Sequence, residues 1–195
     1  MGGTFDPIHL GHLIIASEAL HLLELDRMIF MPTGQPWQKK AHSSPEDRYL
    51  MTVHGTSGNQ RFTVSRMELD RVGPTFTADT MGELRDFHGE LTSMFFIAGA
   101  DAVLRLGTWE RIESLAELAE VVAVTRPGFQ LENFESQPTW PRILQMEVPG
   151  IDISSTEIRA RVREGRPIDY LVPVSVGSYI REHGLYATER GDAVA

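Results

Sequence analysis

Residues 2–12 read Gly2-Gly3-Thr4-Phe5-Asp6-Pro7-Ile8-His9-Leu10-Gly11-His12, with only Met1 ahead of them. Gly2 and Gly3 let the backbone turn tightly and approach a ligand closely. Asp6-Pro7 is turn chemistry. The stretch from Leu10 to Leu25, "LGHLIIASEALHLLEL", is apolar over most of its length and predicts a buried helix. His9 and His12 therefore stand at that helix's start, and their three-residue spacing puts them on one face. A helix N-terminus favours anions, because its free N–H groups and its dipole point outward. Two imidazoles there can donate hydrogen bonds to phosphate oxygens. A metal pair is the alternative, but no third ligand is obvious and the chain has no cysteine.

Working outward, the rest of the chain alternates strand and helix signals. "RMIFMP" predicts a short buried strand ended by Pro32, and "TGQPWQKKAHSS" a loop. Ser44-Pro45-Glu46-Asp47 predicts a helix start that runs to about His54. "RFTVSRMEL" alternates as a strand, "GPTFTADTMGELRDFHGE" reads as a turn and a helix, and "LTSMFFIAGAD" as a strand ending at Gly99. "TWERIESLAELAE" predicts a helix, "VVAVTRPG" and "ILQMEVP" strands, and "SSTEIRARVREG" a capped helix ended by glycine. Residues 129–142 are polar and Pro-containing and are expected to be a mobile loop. A last helix lies in "VPVSVGSYIREHGLY". Such alternation predicts an α/β fold, a Rossmann-like doubly wound parallel sheet with ligands at the carboxyl ends of its strands. One domain over residues 1–187 and a flexible tail over 188–195 are expected.

Composition narrows the partners. The 195 residues carry a formal net charge of −9, with 42% hydrophobic and 23% charged residues. An acidic surface argues against coating nucleic acid, and reads most simply as a device for solubility. The absence of cysteine fits a reducing cytoplasm. No apolar run approaches the roughly 20 residues that a membrane span needs, and no signal peptide is visible. A homo-oligomer remains open.

The opening stretch resembles the signature of the nucleotidyltransferase superfamily with an H-x-G-H motif, here His9-Leu10-Gly11-His12. Class I aminoacyl-tRNA synthetases share that motif type, but they are generally longer and carry a later lysine-rich signature absent here. Ile153-Ser154-Ser155-Thr156-Glu157-Ile158-Arg159 taken alone is a helix cap. It resembles the I-S-S-T-x-I-R motif that accompanies H-x-G-H in adenylyltransferases. Gly99-Ala100-Asp101 with Trp109, and Phe76-Thr77-Ala78-Asp79-Thr80, resemble segments of bacterial nicotinate mononucleotide adenylyltransferases. Taken alone, Asp101 would cap a helix, Trp109 would be a core residue and Thr77 a cap. Pro36-Trp37-Gln38-Lys39 departs from that family's P-P-H-K, although Lys39 keeps the basic residue.

The resemblance implies adenylyl transfer from ATP to nicotinate mononucleotide, with pyrophosphate as leaving group and Mg²⁺ held mainly by the ATP phosphates. It implies His9, His12, Lys39 and Arg159 as the catalytic set. ATP contacts would come from Gly2, Gly3, Thr4, Phe5, His12, Asp101, Arg126, Ser155, Thr156 and Arg159. Thr77, Asp101, Trp109 and Lys39 would receive the mononucleotide. Another phosphorylated acceptor, such as nicotinamide mononucleotide or phosphopantetheine, or a non-catalytic nucleotide-binding module, are the alternatives. Family members usually carry about five or six apolar residues ahead of the Gly-Gly turn. The first strand is therefore expected to be truncated, and residues placed upstream of Met1 to raise stability and activity.

Overall fold

The computed structural model describes residues 1–34, 41–125 and 137–187. Six strands alternate with helices along them: β1 (Gly2–Gly3), β2 (Met28–Pro32), β3 (Phe62–Val64), β4 (Phe95–Gly99), β5 (Glu120–Thr125) and β6 (Ile143–Glu147). The helices are α1 (Leu10–Leu22), α2 (Pro45–Thr56), α3 (Met67–Asp70), α4 (Thr77–His88), α5 (Ala100–Val103), α6 (Ile112–Leu118), α7 (Ser155–Arg163) and α8 (Val174–Glu182). Pairing is parallel throughout, in two ladders ordered β1-β2-β3 and β4-β5-β6. The ladders meet where β1 lies beside β4. A Cβ on Gly2 would stand 3.3 Å from the Phe96 ring. The spatial order is thus 3-2-1-4-5-6, a doubly wound arrangement whose strand order reverses between β1 and β4.

β5 shows why the sheet is covered on both faces. Its side chains alternate, and both sets are buried. Val122 and Val124 join one core with Phe5, Ile8, Leu20, Phe30, Ile158 and Ile180. Val121 and Ala123 join the other with Val103, Leu106, Ile112 and Leu115. Continuous apolar runs in the sequence are therefore central strands.

Two expected elements are shorter than the sequence suggests. Helix α1 ends at Leu22, because Glu24 turns left-handed at φ 50° and Leu25 N–H bonds back to the Leu20 carbonyl at 3.1 Å. That is a helix stop made without glycine. The strand expected over "RFTVSRMEL" is only Phe62–Val64. Ser65 Oγ accepts the Met67 N–H at 3.2 Å, so the chain turns into α3.

β1 is two residues long and pairs Gly2 with Met31 and Gly3 with Pro32. Below it a cavity of about 900 Å³ separates β2 from β4, lined by Leu23, Met28, Met94 and Phe96 among others. The Met1 ammonium is drawn into this region and donates to the Ile29 carbonyl at 2.9 Å. Burial lowers its pKa to about 5, against the pull of Glu68.

Candidate active site

The reversal point between β1 and β4 is where the opening motif stands. His9 is the N-cap of α1 and His12 lies one turn in. Their rings stack with centroids 3.7 Å apart and an interplanar angle of 25°. The Phe5 ring meets the other side of His12 edge-on, at 5.1 Å and 81°. Phe5 is buried and holds a left-handed backbone, φ 49°, a conformation that a bulky residue adopts only under constraint. Gly11 is needed because of the His9 ring: a Cβ there would stand 3.1 Å from Nδ1 and 3.2 Å from Cε1. The glycine of the motif thus leaves room for the first histidine.

The protonation of His12 follows from one hydrogen bond. The His9 backbone N–H donates to His12 Nδ1 at 3.2 Å. Nδ1 is then an acceptor, so the ring proton sits on Nε2. Burial lowers the His12 pKa well below its ordinary value, and His9 beside it lowers it further. Burial also takes His9 down to about 4. Both rings are neutral at pH 7, and His12 is a neutral Nε2–H donor.

The loop before α1 is held from outside. Arg48 Nη1 donates to the Thr4 carbonyl at 2.9 Å. Arg159 Nη1 donates to the Asp6 carbonyl at 2.7 Å, and Ser155 Oγ to the Pro7 carbonyl at 2.9 Å. The Asp6 carboxylate is itself buried. It accepts from the His42 N–H at 2.6 Å, from Tyr186 Oη at 2.7 Å and from Ser43 Oγ. Burial pushes this carboxyl up, but Ser43, His42 and Tyr186, with Arg159 nearby, outweigh it and hold it below the usual range. With both oxygens engaged, Asp6 is a structural anion and not a free base. Ser154 caps α7, its Oγ accepting the Glu157 N–H at 3.2 Å, which leaves Ser155 to face the loop.

Beside the loop, a cavity of about 330 Å³ opens between Gly2–Thr4, Thr33, Glu68, Thr75–Thr77 and Trp109. Trp109 forms one wall, edge-on to Phe96 at 5.5 Å. Thr77 is the first residue of α4, so that helix's N-terminus looks into the cavity. Asp79 in its first turn is paired with Arg111 at 2.5 Å. Thr80 Oγ1 donates to Glu68 Oε1 at 2.9 Å and accepts from Arg71 at 3.0 Å. Burial raises the Glu68 pKa, against the opposing effect of Thr80 and Arg71.

Most of the residues singled out in the sequence thus converge. Gly2, Gly3, Thr4, Phe5, His9, His12, Ser155 and Arg159 surround one loop, and Thr77 and Trp109 line the neighbouring cavity. Thr156 is bonded to Arg159 at 3.2 Å. Asp101 is exposed in the first turn of α5 and does not cap it, since Gly99 is the N-cap. Lys39, Arg126, Trp37, Gln38 and the 188–195 tail lie outside the described residues. The sequence reading missed Arg48, Glu68, Thr75 and Tyr186. Among the described residues no cluster of three or more His, Asp or Glu could hold an ion, and the Asp6 oxygens are occupied.

Known proteins share this architecture. The chain matches the cytidylyltransferase-like family over residues 1–161. A probable nicotinate-nucleotide adenylyltransferase of Corynebacterium kroppenstedtii is 54% identical over 190 residues, 95% of this chain and 89% of the relative. One from Acidothermus cellulolyticus is 50% identical over 200 residues, 98% and 94% of the two chains. Among solved structures, the Plasmodium falciparum nicotinic acid mononucleotide adenylyltransferase complexed with NaAD superposes with a TM-score of 0.73 at 19% identity. The match covers 95% of this chain and 94% of that one; at that identity it speaks for the fold alone. The chain belongs to the cytidylyltransferase-like nucleotidyltransferases and, within them, to the nicotinate-nucleotide adenylyltransferase family.

Proposed function

We propose that this chain transfers the adenylyl group of ATP to nicotinate mononucleotide, releasing pyrophosphate and forming nicotinate adenine dinucleotide. The observation that carries the reading is the neutral His12 Nε2–H donor, fixed by the His9 N–H, beside a cavity walled by Trp109 and the start of α4. The names of the relatives support the acceptor. The same reading places the protein in NAD biosynthesis, in the cytoplasm.

The chemistry asks little of a base. The 5′-phosphate of the mononucleotide is already an anion, so its oxygen attacks the α-phosphorus directly. A new O–P bond forms in line as the bond to the β-phosphate oxygen breaks. The protein contributes position and charge stabilisation. His12 donates to the phosphoryl oxygens through Nε2–H, and His9 holds its ring and tautomer. The α7 start, with Ser155, Thr156 and Arg159, and the Gly2–Phe5 loop face the triphosphate. Lys39 and Arg126 would add positive charge and an adenine contact, and Asp101 a ribose contact. Thr77 would receive the nicotinate carboxylate through its amide at the N-terminus of α4, and Trp109 would pack on the ring. A Mg²⁺ ion arriving with the ATP would supply charge neutralisation for the pyrophosphate, while Ser155, Thr156 and Arg159 would hold the triphosphate.

Pyrophosphate release measured with ATP and each acceptor separates the readings. Nicotinate mononucleotide is expected to outrun nicotinamide mononucleotide and phosphopantetheine. Release with another acceptor instead would move the assignment, and ATP binding without any release would mark a non-catalytic module. His12→Ala is expected to lower kcat by about 10²–10³ while weakening mononucleotide binding much less. Near-normal turnover would remove His12 from the mechanism.

Neutral buried histidines also tie stability to pH. Below about pH 6.5 the unfolded chain takes up protons that the native His9 and His12 refuse, so stability falls as pH drops toward 4. Between pH 6.5 and 5 His9 alone is expected to remove about 1–2 kcal/mol, and His12 acts in the same direction. Urea unfolding of the native chain and of the His9→Gln/His12→Gln variant should diverge over this range. Parallel pH profiles would contradict the neutral assignment.

A further inference from the structure

Arg48, on α2, is a long cationic side chain with no exposure at all. Its two terminal nitrogens reach different segments. Nη1 donates to the Thr4 carbonyl, 44 residues away, and Nη2 to the Gly34 carbonyl at 3.3 Å, 14 residues away. Thr4 belongs to the loop that faces the nucleotide. Gly34 follows β2 and Thr33, which lines the acceptor cavity. Gly34 is wedged from its other side, since a Cβ there would stand 2.1 Å from the Glu68 carbonyl oxygen. Glu68 also lines that cavity. Thr4 lines that cavity as well, so one planar guanidinium joins the loop before α1 to the β2 side of the acceptor cavity.

We infer that Arg48 is a positioning residue for the transfer: bridging Thr4 and Gly34, it fixes the nucleotide loop against the β2 end of the acceptor cavity. The inference rests on the proposed adenylyl transfer. In-line attack requires two separately bound phosphates to meet within a few tenths of an ångström, and a misplacement of about 1 Å can cost 10²-fold in rate. A rigid fork fixes two acceptors relative to each other, which a lysine with a single ammonium on a flexible stem does not. Asp6, held by Ser43, His42 and Tyr186, provides the nearby anion that keeps the guanidinium's charge balanced.

The test compares Arg48→Lys, Gly34→Ala and Thr52→Val with the unaltered chain. Thr52 is equally buried and bonds only within α2, at 2.7 Å to the Arg48 carbonyl, so it reports damage to the helix without touching either loop. Tm, the Kd of ATP alone, KM for nicotinate mononucleotide and kcat are measured for each. Arg48→Lys is expected to lower kcat by about 10–100-fold with the Kd of ATP within about 3-fold. Its Tm is expected to fall further than that of Thr52→Val, which should keep its kcat, so kcat is compared at a temperature where each variant is fully folded. Gly34→Ala moves the far end of the bridge with Arg48 intact and is expected to lower kcat as well. It decides the question if Arg48→Lys fails to fold. A folded Arg48→Lys with unaltered kcat, a loss explained by the Kd of ATP or by folded fraction, or an unaffected Gly34→Ala would overturn the inference. No transfer by the unaltered chain would instead overturn the proposed function.

Discussion

The hydrogen bond from the His9 N–H to His12 Nδ1 depends on a loop whose carbonyls are held away from the site. The Thr4, Asp6 and Pro7 oxygens are taken by Arg48, Arg159 and Ser155, which come from α2 and α7. With those three engaged, the loop runs into α1 with His9 as its N-cap. Each of these bonds joins residues far apart in sequence. The loop is thus shaped by tertiary contacts, and it leads directly into the start of α1.

The energetic balance explains why the surroundings are so polar. Burying two imidazoles costs little while they stay neutral, and much if they are charged. Asp6 and Arg48 are the opposite case: burial opposes their charge, and dense hydrogen bonding retains it. Losing the Arg48 guanidinium would remove two hydrogen bonds at once, from the half-buried Thr4 and Gly34 carbonyls. The strained Phe5 backbone costs roughly another 1–2 kcal/mol. Its ring offsets this by sealing one side of His12 and packing on Phe30 at 5.8 Å.

Features legible in the sequence are those with local causes. Ser44 and Ser154 announce their helices because each cap bonds three residues on. β5 reads as a central strand because both its faces are apolar. The H-x-G-H spacing gives the stacked rings, since a helix start brings those positions together. What stayed hidden depends on distant partners. Arg48 looks like an ordinary helical arginine, and Tyr186 reaches Asp6 across 180 residues. The alternation of "RFTVSRMEL" conceals the turn that Ser65 makes, so the sequence alone shows Glu68 only as part of a strand. The stop at Glu24 was missed for a similar reason: no glycine marks it.

The central claim is that His12 is neutral, carries its proton on Nε2, and offers that proton to the nucleotide. Long-range ¹H–¹⁵N spectra of histidine-labelled protein at pH 7 test it directly. They should show an unprotonated Nδ1 and a protonated Nε2 on His12, with the Nε2 resonance moving when ATP is added. A proton on Nδ1, an imidazolium, or an Nε2 resonance indifferent to ATP would contradict the account.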